Sequence, residues 1–361
     1  MTFYENILDA GDELIKRGVA DRQSLLRRET EEFLRETSLD YGPRQEVHWK
    51  RDYSSPEAYE ASVAPNRERW RQAVGWFDAP LLPLQAIAAP FLESETIRAE
   101  WITVPVFEGL NARAVLARPK AGSAPYPIVI CQHGIGSSPE RVFGFDDPSD
   151  IYHSYGRAIA EAGFAVLAPL HVTEGPPRAR YHRLCLMLGK TLWGLEIQKL
   201  SRLIDYLETL DWLDTARIGM YGISLGGAYT SFALPLERRI GVGVNCAWFN
   251  DRLRKMVVDD PRYSCFLSAS EEHIFIPGWL REFGDSDLAS LICPRRHLVQ
   301  AGKCDGIGWW PYVVEEFERA REHWTRLGIG ERMVLDLHEG GHEIRLAGAL
   351  PFLRKWLMGP A

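Results

Sequence analysis

Long apolar runs are missing from this chain. Its most apolar stretch, APLLPLQAIAAPFL, is interrupted by Pro80, Pro83 and Pro90 and falls short of the roughly 20 residues that a bilayer-spanning helix needs. The opening residues, MTFYENILDAGDELIKRG, carry no apolar segment behind a basic start, so nothing in them reads as a secretion signal. Clustered basic charge is also missing. With 42 Lys and Arg against 49 Asp and Glu the net charge is −7, and the basic residues form no long run, which argues against a nucleic-acid partner. The six cysteines, at 131, 185, 246, 265, 293 and 304, contain no CxxC pair. They read as small buried apolar residues in a reducing compartment rather than as disulfides or metal ligands. No internal repeat or low-complexity segment occurs. The expectation is a soluble, cytoplasmic protein with no membrane or nucleic-acid partner.

What the chain does have falls into two regimes. Residues 1–85 read as a helical extension rich in Arg, Glu and Trp. A first helix is expected from Phe3, Ile7, Leu14 and Ile15, with Gly18 as its stop, and a second from Leu25, Leu26, Phe33 and Leu34 on one apolar face. A third, in SPEAYEASVAPNRERWRQAVGW, is expected to break at Pro65. A proline-rich lead-in over 80–90 follows. From about residue 97, short apolar runs alternate with helical patterns. A hairpin is expected around Gly109 and Asn111. Strands are expected at YPIVICQ, FAVLAP, RIGMYGI, RIGVGVNCAWF, RRHLVQAG and RMVLDLH, separated by amphipathic helices such as the one carrying Val313, Phe317, Ala320, Trp324 and Leu327. That alternation predicts an α/β domain over 86–361, built on a mostly parallel sheet covered by helices on both faces. Residues of about 249–290 separate two strands by more than an ordinary connection and read as a lid-like insertion.

One turn stands out. Gly222-Ile223-Ser224-Leu225-Gly226 matches G-x-S-x-G directly after an apolar strand and before a helix-compatible segment. Side chains two residues before and after the serine would collide in so sharp a bend, which explains the glycines. The bend holds the Ser224 hydroxyl at the sheet's C-terminal edge, where a substrate can reach it. The plain alternative is a serine helix cap after a glycine turn.

A serine hydroxyl is a weak nucleophile near neutral pH and needs a base, itself oriented by an acid. The acid expected is Asp305, in the glycine-flanked loop after HLVQAG, although Asp-Gly also favours a simple Asx-turn; Asp251 is the reserve. The base expected is His342, hung beyond Gly340 and Gly341, in preference to His338 at the strand end. Acyl transfer also builds negative charge on the carbonyl oxygen, which calls for backbone N–H donors. These are expected from Leu225, next to the serine, and from Ile135 in His133-Gly134-Ile135-Gly136. His133 is read as holding that loop through its ring and bordering the substrate. Trp309 and Trp310 are read as lining the acyl or sugar side, with Phe266, His273, Phe275 and Trp279 coming from the insertion.

With HGIG, the block LGKTLWGLEIQKLSRLIDYLETLDWLDTARIGMYGISLGG, the block FIPGWLREFGDSDLASLICPRRHLVQAGKCDGI and HEGGHEI in hand, the chain resembles the α/β-hydrolase superfamily over about 70–361, in its acetyl-xylan-esterase-like and dienelactone-hydrolase-like branch. The resemblance implies an α/β-hydrolase fold with an eight-stranded sheet. It also implies a Ser224–Asp305–His342 triad and hydrolysis of a small-molecule carboxylic ester, of acetyl type and including sugar esters, without metal or organic cofactor. Where such enzymes often carry an acidic or arginine-bearing stretch after one strand, this chain has Leu170 and His171. Two other readings stay open: a C–C bond hydrolase of a β-diketone-like substrate using the same triad, and a catalytically silent binding protein on this fold. The N-terminal helices are read as a cover for the site, a dock on the sheet edge or a support for a homo-oligomer.

Overall fold

A computed structural model of the protein describes residues 13–40, 46–148 and 151–359. In chain order the helices are α1 (Glu13–Leu39), α2 (Pro56–Val74), α3 (Tyr155–Glu161), α4 (Gly175–Met187), α5 (Leu192–Leu207), α6 (Leu225–Ala233), α7 (Arg252–Val257), α8 (Asp285–Ser290), α9 (Trp310–Arg326) and α10 (Leu346–Leu357), with single turns at Pro139–Val142 and Trp279–Glu282. The strands are β1 (Ile87–Glu93), β2 (Ile97–Phe107), β3 (Leu110–Pro119), β4 (Tyr126–Gln132), β5 (Ala165–Leu170), β6 (Leu213–Ile223), β7 (Ile240–Cys246), β8 (Arg296–Gly302) and β9 (Met333–His338).

They form one sheet in the order β1-β2-β3-β5-β4-β6-β7-β8-β9. The β1–β2, β2–β3 and β3–β5 pairs are antiparallel, and every pair from β5–β4 onward is parallel. The central strands are buried along most of their length because both faces are covered. On one face α2, α5, α6 and α9 bury Trp70, Leu200, Phe232 and Trp324, and on the other α3 and α10 bury Tyr155, Ile159 and Leu353. Parallel pairing places the C-terminal ends of β4, β6, β7, β8 and β9 on one rim.

The sheet has nine strands, not the eight expected from the resemblance. The extra one, β1, lies in the stretch read as a proline-rich lead-in. It survives Pro90 because it is an edge strand, and its register shifts between Pro90 and Leu92, where a missing ladder N–H costs least. Two helical expectations are also corrected. Pro65 does not break α2, whose buried face of Tyr59, Val63, Trp70 and Val74 outweighs one lost backbone bond. Gly18 does not stop the first helix, since α1 runs through it to Leu39; Phe3 and Ile7, and the side chains of Leu14 and Ile15, lie outside the described residues. Among the described residues no helix is long and apolar enough to cross a membrane.

Candidate active site

The strand β6 ends at Ile223 and α6 begins at Leu225, so Ser224 alone makes the turn, at φ 58° and ψ −120°. A non-glycine residue in that region costs on the order of 1–3 kcal/mol and persists only where its surroundings enforce it. Here they do. The Ser224 N–H donates to the Cys246 carbonyl at 2.9 Å, and the Ser224 carbonyl accepts from the Ala228 N–H at 2.9 Å. A Cβ at Gly222 would strike the Gly226 carbonyl, and one at Gly226 would strike that of Gln132, so only glycine admits so close a pass of helix over strand.

At the ends of β8 and β9 the two remaining candidates meet. His342 Nδ1 lies 2.9 Å from Asp305 Oδ2. Asp305 Oδ1 accepts from the Ile307 N–H at 2.9 Å, so the Asx-turn and the imidazole each hold one oxygen of the same carboxylate. Their loops are knit together. The Cys304 N–H donates to the Gly340 carbonyl at 3.0 Å, and the absent side chain of Gly302 leaves room for the carbonyls of Gly340 and Gly341. The Cys246 thiol donates to the Glu343 carbonyl at 3.2 Å, tying the His342 loop to the strand next to the elbow. His338 is turned elsewhere: its Nδ1 accepts from the Gly340 N–H at 3.1 Å. Asp251 is likewise occupied, capping α7 through the Arg254 N–H at 3.1 Å. No hydrogen bond joins the Ser224 hydroxyl to His342. Such contacts are often long before substrate arrives and tighten with it.

The 133–137 loop lies against the elbow, close enough that a Cβ at Gly134 would come within 3.3 Å of that of Ser224. The Gly134 N–H donates to Tyr152 Oη at 3.0 Å and the Gly136 N–H to the Thr173 carbonyl at 3.1 Å. That leaves the Ile135 amide between them unpaired among the described residues. The Leu225 amide, first in α6, has no intrahelical acceptor. Both residues line a cavity of about 270 Å³ together with Ser224 and Asp305.

His133 is wholly buried behind this loop, with Nδ1 3.1 Å from the Gly134 carbonyl, and burial lowers its pKa to about 4. It supports the loop and does not line the cavity. Trp310 lines the cavity. Trp309, one residue earlier in extended backbone, lies outside it, edge-on to Tyr312 and with the Arg262 guanidinium 3.8 Å over its face. Of the four aromatic residues expected from about 249–290, Phe266 lines the cavity, His273 and Trp279 are buried in packing, and Phe275 is exposed and does not line the cavity. The insertion's main polar contribution was not anticipated. Lys255 lines the cavity and donates to the Ser264 carbonyl, to Ser264 Oγ at 2.6 Å and to the Ile307 carbonyl at 2.6 Å, strapping the insertion to the loop that carries Asp305. Burial pulls its pKa down to about 7.

A second support also lies beyond local sequence patterns. Arg178 Nη1 donates to Glu196 Oε2 at 2.8 Å and to the Val172 carbonyl at 2.8 Å, with both side chains buried. The next residue, Thr173, holds the Gly136 amide through its carbonyl and donates through Oγ1 to the Ser137 carbonyl at 2.9 Å. The ion pair thus anchors the loop on which the Ile135 amide is hung. Glu196→Gln keeps the shape and removes the charge. On the reading that the Ile135 amide is an oxyanion donor of an ester hydrolase, it is expected to lower kcat on a simple ester about tenfold with KM changed less than about twofold, because a displaced donor weakens transition-state binding more than ground-state binding. Steady-state kinetics beside a thermal melt decide this; an unchanged kcat with a lowered Tm would mean the pair serves stability only.

No family model matches the chain. It is 27% identical over 264 residues to YtaP of Bacillus subtilis (strain 168), a protein provisionally named a hydrolase, covering 68% of this chain and 84% of that one. It superposes with a TM-score of 0.63 and 16% identity on a Bacteroides fragilis NCTC 9343 protein, provisionally named an acetyl xylan esterase, over 81% of this chain and 79% of that one. It matches the glucuronoyl esterase from Solibacter usitatus with a TM-score of 0.63 and 15% identity, over 85% and 94%. The chain has the α/β-hydrolase fold.

Proposed function

We propose that the chain is a serine carboxylic-ester hydrolase acting through Ser224, His342 and Asp305. The observation that carries this reading is the strained Ser224 at the edge of a cavity that the His342-bound Asp305 also lines. His342 takes the hydroxyl proton as Ser224 attacks the ester carbonyl, and Asp305 stabilises the imidazolium. The amides of Leu225 and Ile135 receive the developing oxyanion, each worth roughly 3 kcal/mol. The alcohol leaves protonated by His342, and water repeats the sequence on the acyl-enzyme.

The cavity favours small esters. About 270 Å³ is at or below the low end for drug-sized ligands, and its walls at Phe249, Phe266, Ile274 and Trp310 are apolar. Two neighbours in fold bear the names of carbohydrate esterases, which supports acetyl-type esters, including those of sugars. A panel of p-nitrophenyl acetate, butyrate and octanoate, run with peracetylated sugars and an aromatic β-diketone, tests the reading. The expected order is acetate first, with kcat/KM at least about tenfold lower for octanoate, in keeping with the worth of one to a few misplaced methylenes. Turnover of the diketone alone would reassign the triad to C–C cleavage. No turnover, together with no labelling of Ser224 by a fluorophosphonate, would leave a silent binding protein.

A further inference from the structure

Among the described residues, helix α1 has little support from the rest of the chain. Every residue from Ser24 to Leu34 is exposed, among them Leu25 at 44%, Leu26 at 56%, Phe33 at 67% and Leu34 at 56%. Arg35 ties the helix to the rest of the chain, its Nη1 donating to the Val257 carbonyl at 2.7 Å and its Nη2 pairing with Asp259 at 2.5 Å. A helix in water without tertiary packing is marginal, and one that solvates four large apolar side chains lacks the usual source of its stability. The four side chains share one side of the helix, with Leu26 and Phe33 seven residues apart at its centre.

The charges on this helix are sorted by half. Residues 13–28 hold five basic against two acidic residues, and residues 29–39 hold four acidic against one basic. The C-terminal half is therefore acidic where the helix macrodipole favours cations, and no basic residue occupies the last turn. In a lone helix this arrangement is unfavourable. Against an antiparallel copy of itself it is complementary, because each basic half then lies beside an acidic one and the two dipoles oppose.

We propose that α1 is the interface through which two copies of this chain pair, antiparallel about a two-fold axis. An axis passing between Glu29 and Thr30 sets Leu26 of one copy opposite Phe33 of the second copy, Leu25 opposite Leu34, and Arg22 beside Glu36. This is an isologous contact, in which one patch matches itself. The groove between α1 and the turn Phe266–Ser268, lined by Leu26, Leu34, Val257 and Leu267, adds apolar surface on the flank. That matters because a stable dimer buries on the order of 1,200–2,000 Å² in total.

Sedimentation equilibrium on the full chain from about 1 to 100 µM, the range in which transient pairs dissociate, provides the test. The expected result is a species of twice the chain mass at the upper end. Leu26→Glu/Phe33→Glu is expected to raise its dissociation constant at least about 100-fold, since it desolvates charge at an apolar centre. Hydrolysis of p-nitrophenyl acetate within twofold of the parent shows that this variant remains folded. Arg22→Glu alone is expected to weaken the pair and Arg22→Glu/Glu36→Arg to restore it, which an indirect effect on folding would not do. A parent chain that stays monomeric at 100 µM overturns the proposal. So does a dimer that persists in Leu26→Glu/Phe33→Glu, or a charge exchange that fails to restore association.

Discussion

Replacing Ser224 with alanine is expected to lower kcat/KM for p-nitrophenyl acetate by at least about 10⁴-fold, a loss in the range seen when the nucleophile of a catalytic triad is removed. The backbone argument adds a second, opposite readout. Ser224 is held at φ 58° and ψ −120°, a region in which any Cβ is strained. Alanine keeps the Cβ and should leave Tm within a few degrees of the parent. Glycine removes it. Ser224→Gly should therefore be equally inactive yet more stable than Ser224→Ala, by about 1 kcal/mol once the greater freedom of glycine in the unfolded chain is set against the relieved strain. Urea unfolding of the two variants, alongside the ester assay, checks both parts. A glycine variant less stable than the alanine variant would mean that the elbow stores no strain. Retained turnover in either would remove Ser224 from the reaction.

The elbow was legible because its cause is local: two glycines and a serine between a strand pattern and a helix pattern admit few conformations. That Asp305 and His342 would meet was legible for a related reason. Parallel strands deliver their C-terminal ends to one rim, so a carboxylate and an imidazole just past consecutive strands fall near each other before any coordinate is known. Neighbouring residues in a loop are harder to sort. Trp309 and Trp310 differ in role only because one sits in extended backbone before α9 and the other opens the helix. Tyr152 and Thr173 gave no signal, since the groups they hold are backbone amides 18 and 37 residues away along the chain, with no side-chain pattern to mark them. The ninth strand was missed because prolines argue against a central strand, and the sequence does not say which strand is at the edge. The face of α1 that the described residues leave exposed was read as an apolar stripe, but periodicity does not tell what covers a stripe.

The pairs that fix the insertion were invisible for the same reason of distance, and one of them carries the largest expected cost to stability. Arg252 on α7 and Asp285 on α8 are both fully buried, joined through Nε to Oδ1 at 2.9 Å and Nη2 to Oδ2 at 2.6 Å. The Arg252 guanidinium also stacks 4.1 Å over Trp248, which lines the cavity, and donates to its carbonyl at 2.8 Å. Arg252→Leu strands a carboxylate where water does not reach, at an expected cost of about 3–5 kcal/mol. Arg252→Leu/Asp285→Leu removes both charges and should recover most of it. The pH dependence separates a stranded charge from lost packing. Burial already raises the Asp285 pKa, while Arg252 pulls it back down; without Arg252 it rises further. In the variant the folded state then binds this proton more tightly than the unfolded state, so stability falls as pH rises toward the folded pKa. The deficit relative to the parent should thus be greatest near pH 7.5 and should shrink as pH falls toward 5, the carboxyl taking up its proton. Urea unfolding of the parent and both variants at these two pH values measures it. A deficit that stays constant with pH, and that the double variant does not repair, would show that Arg252 acts through its contacts with Trp248 rather than through its charge.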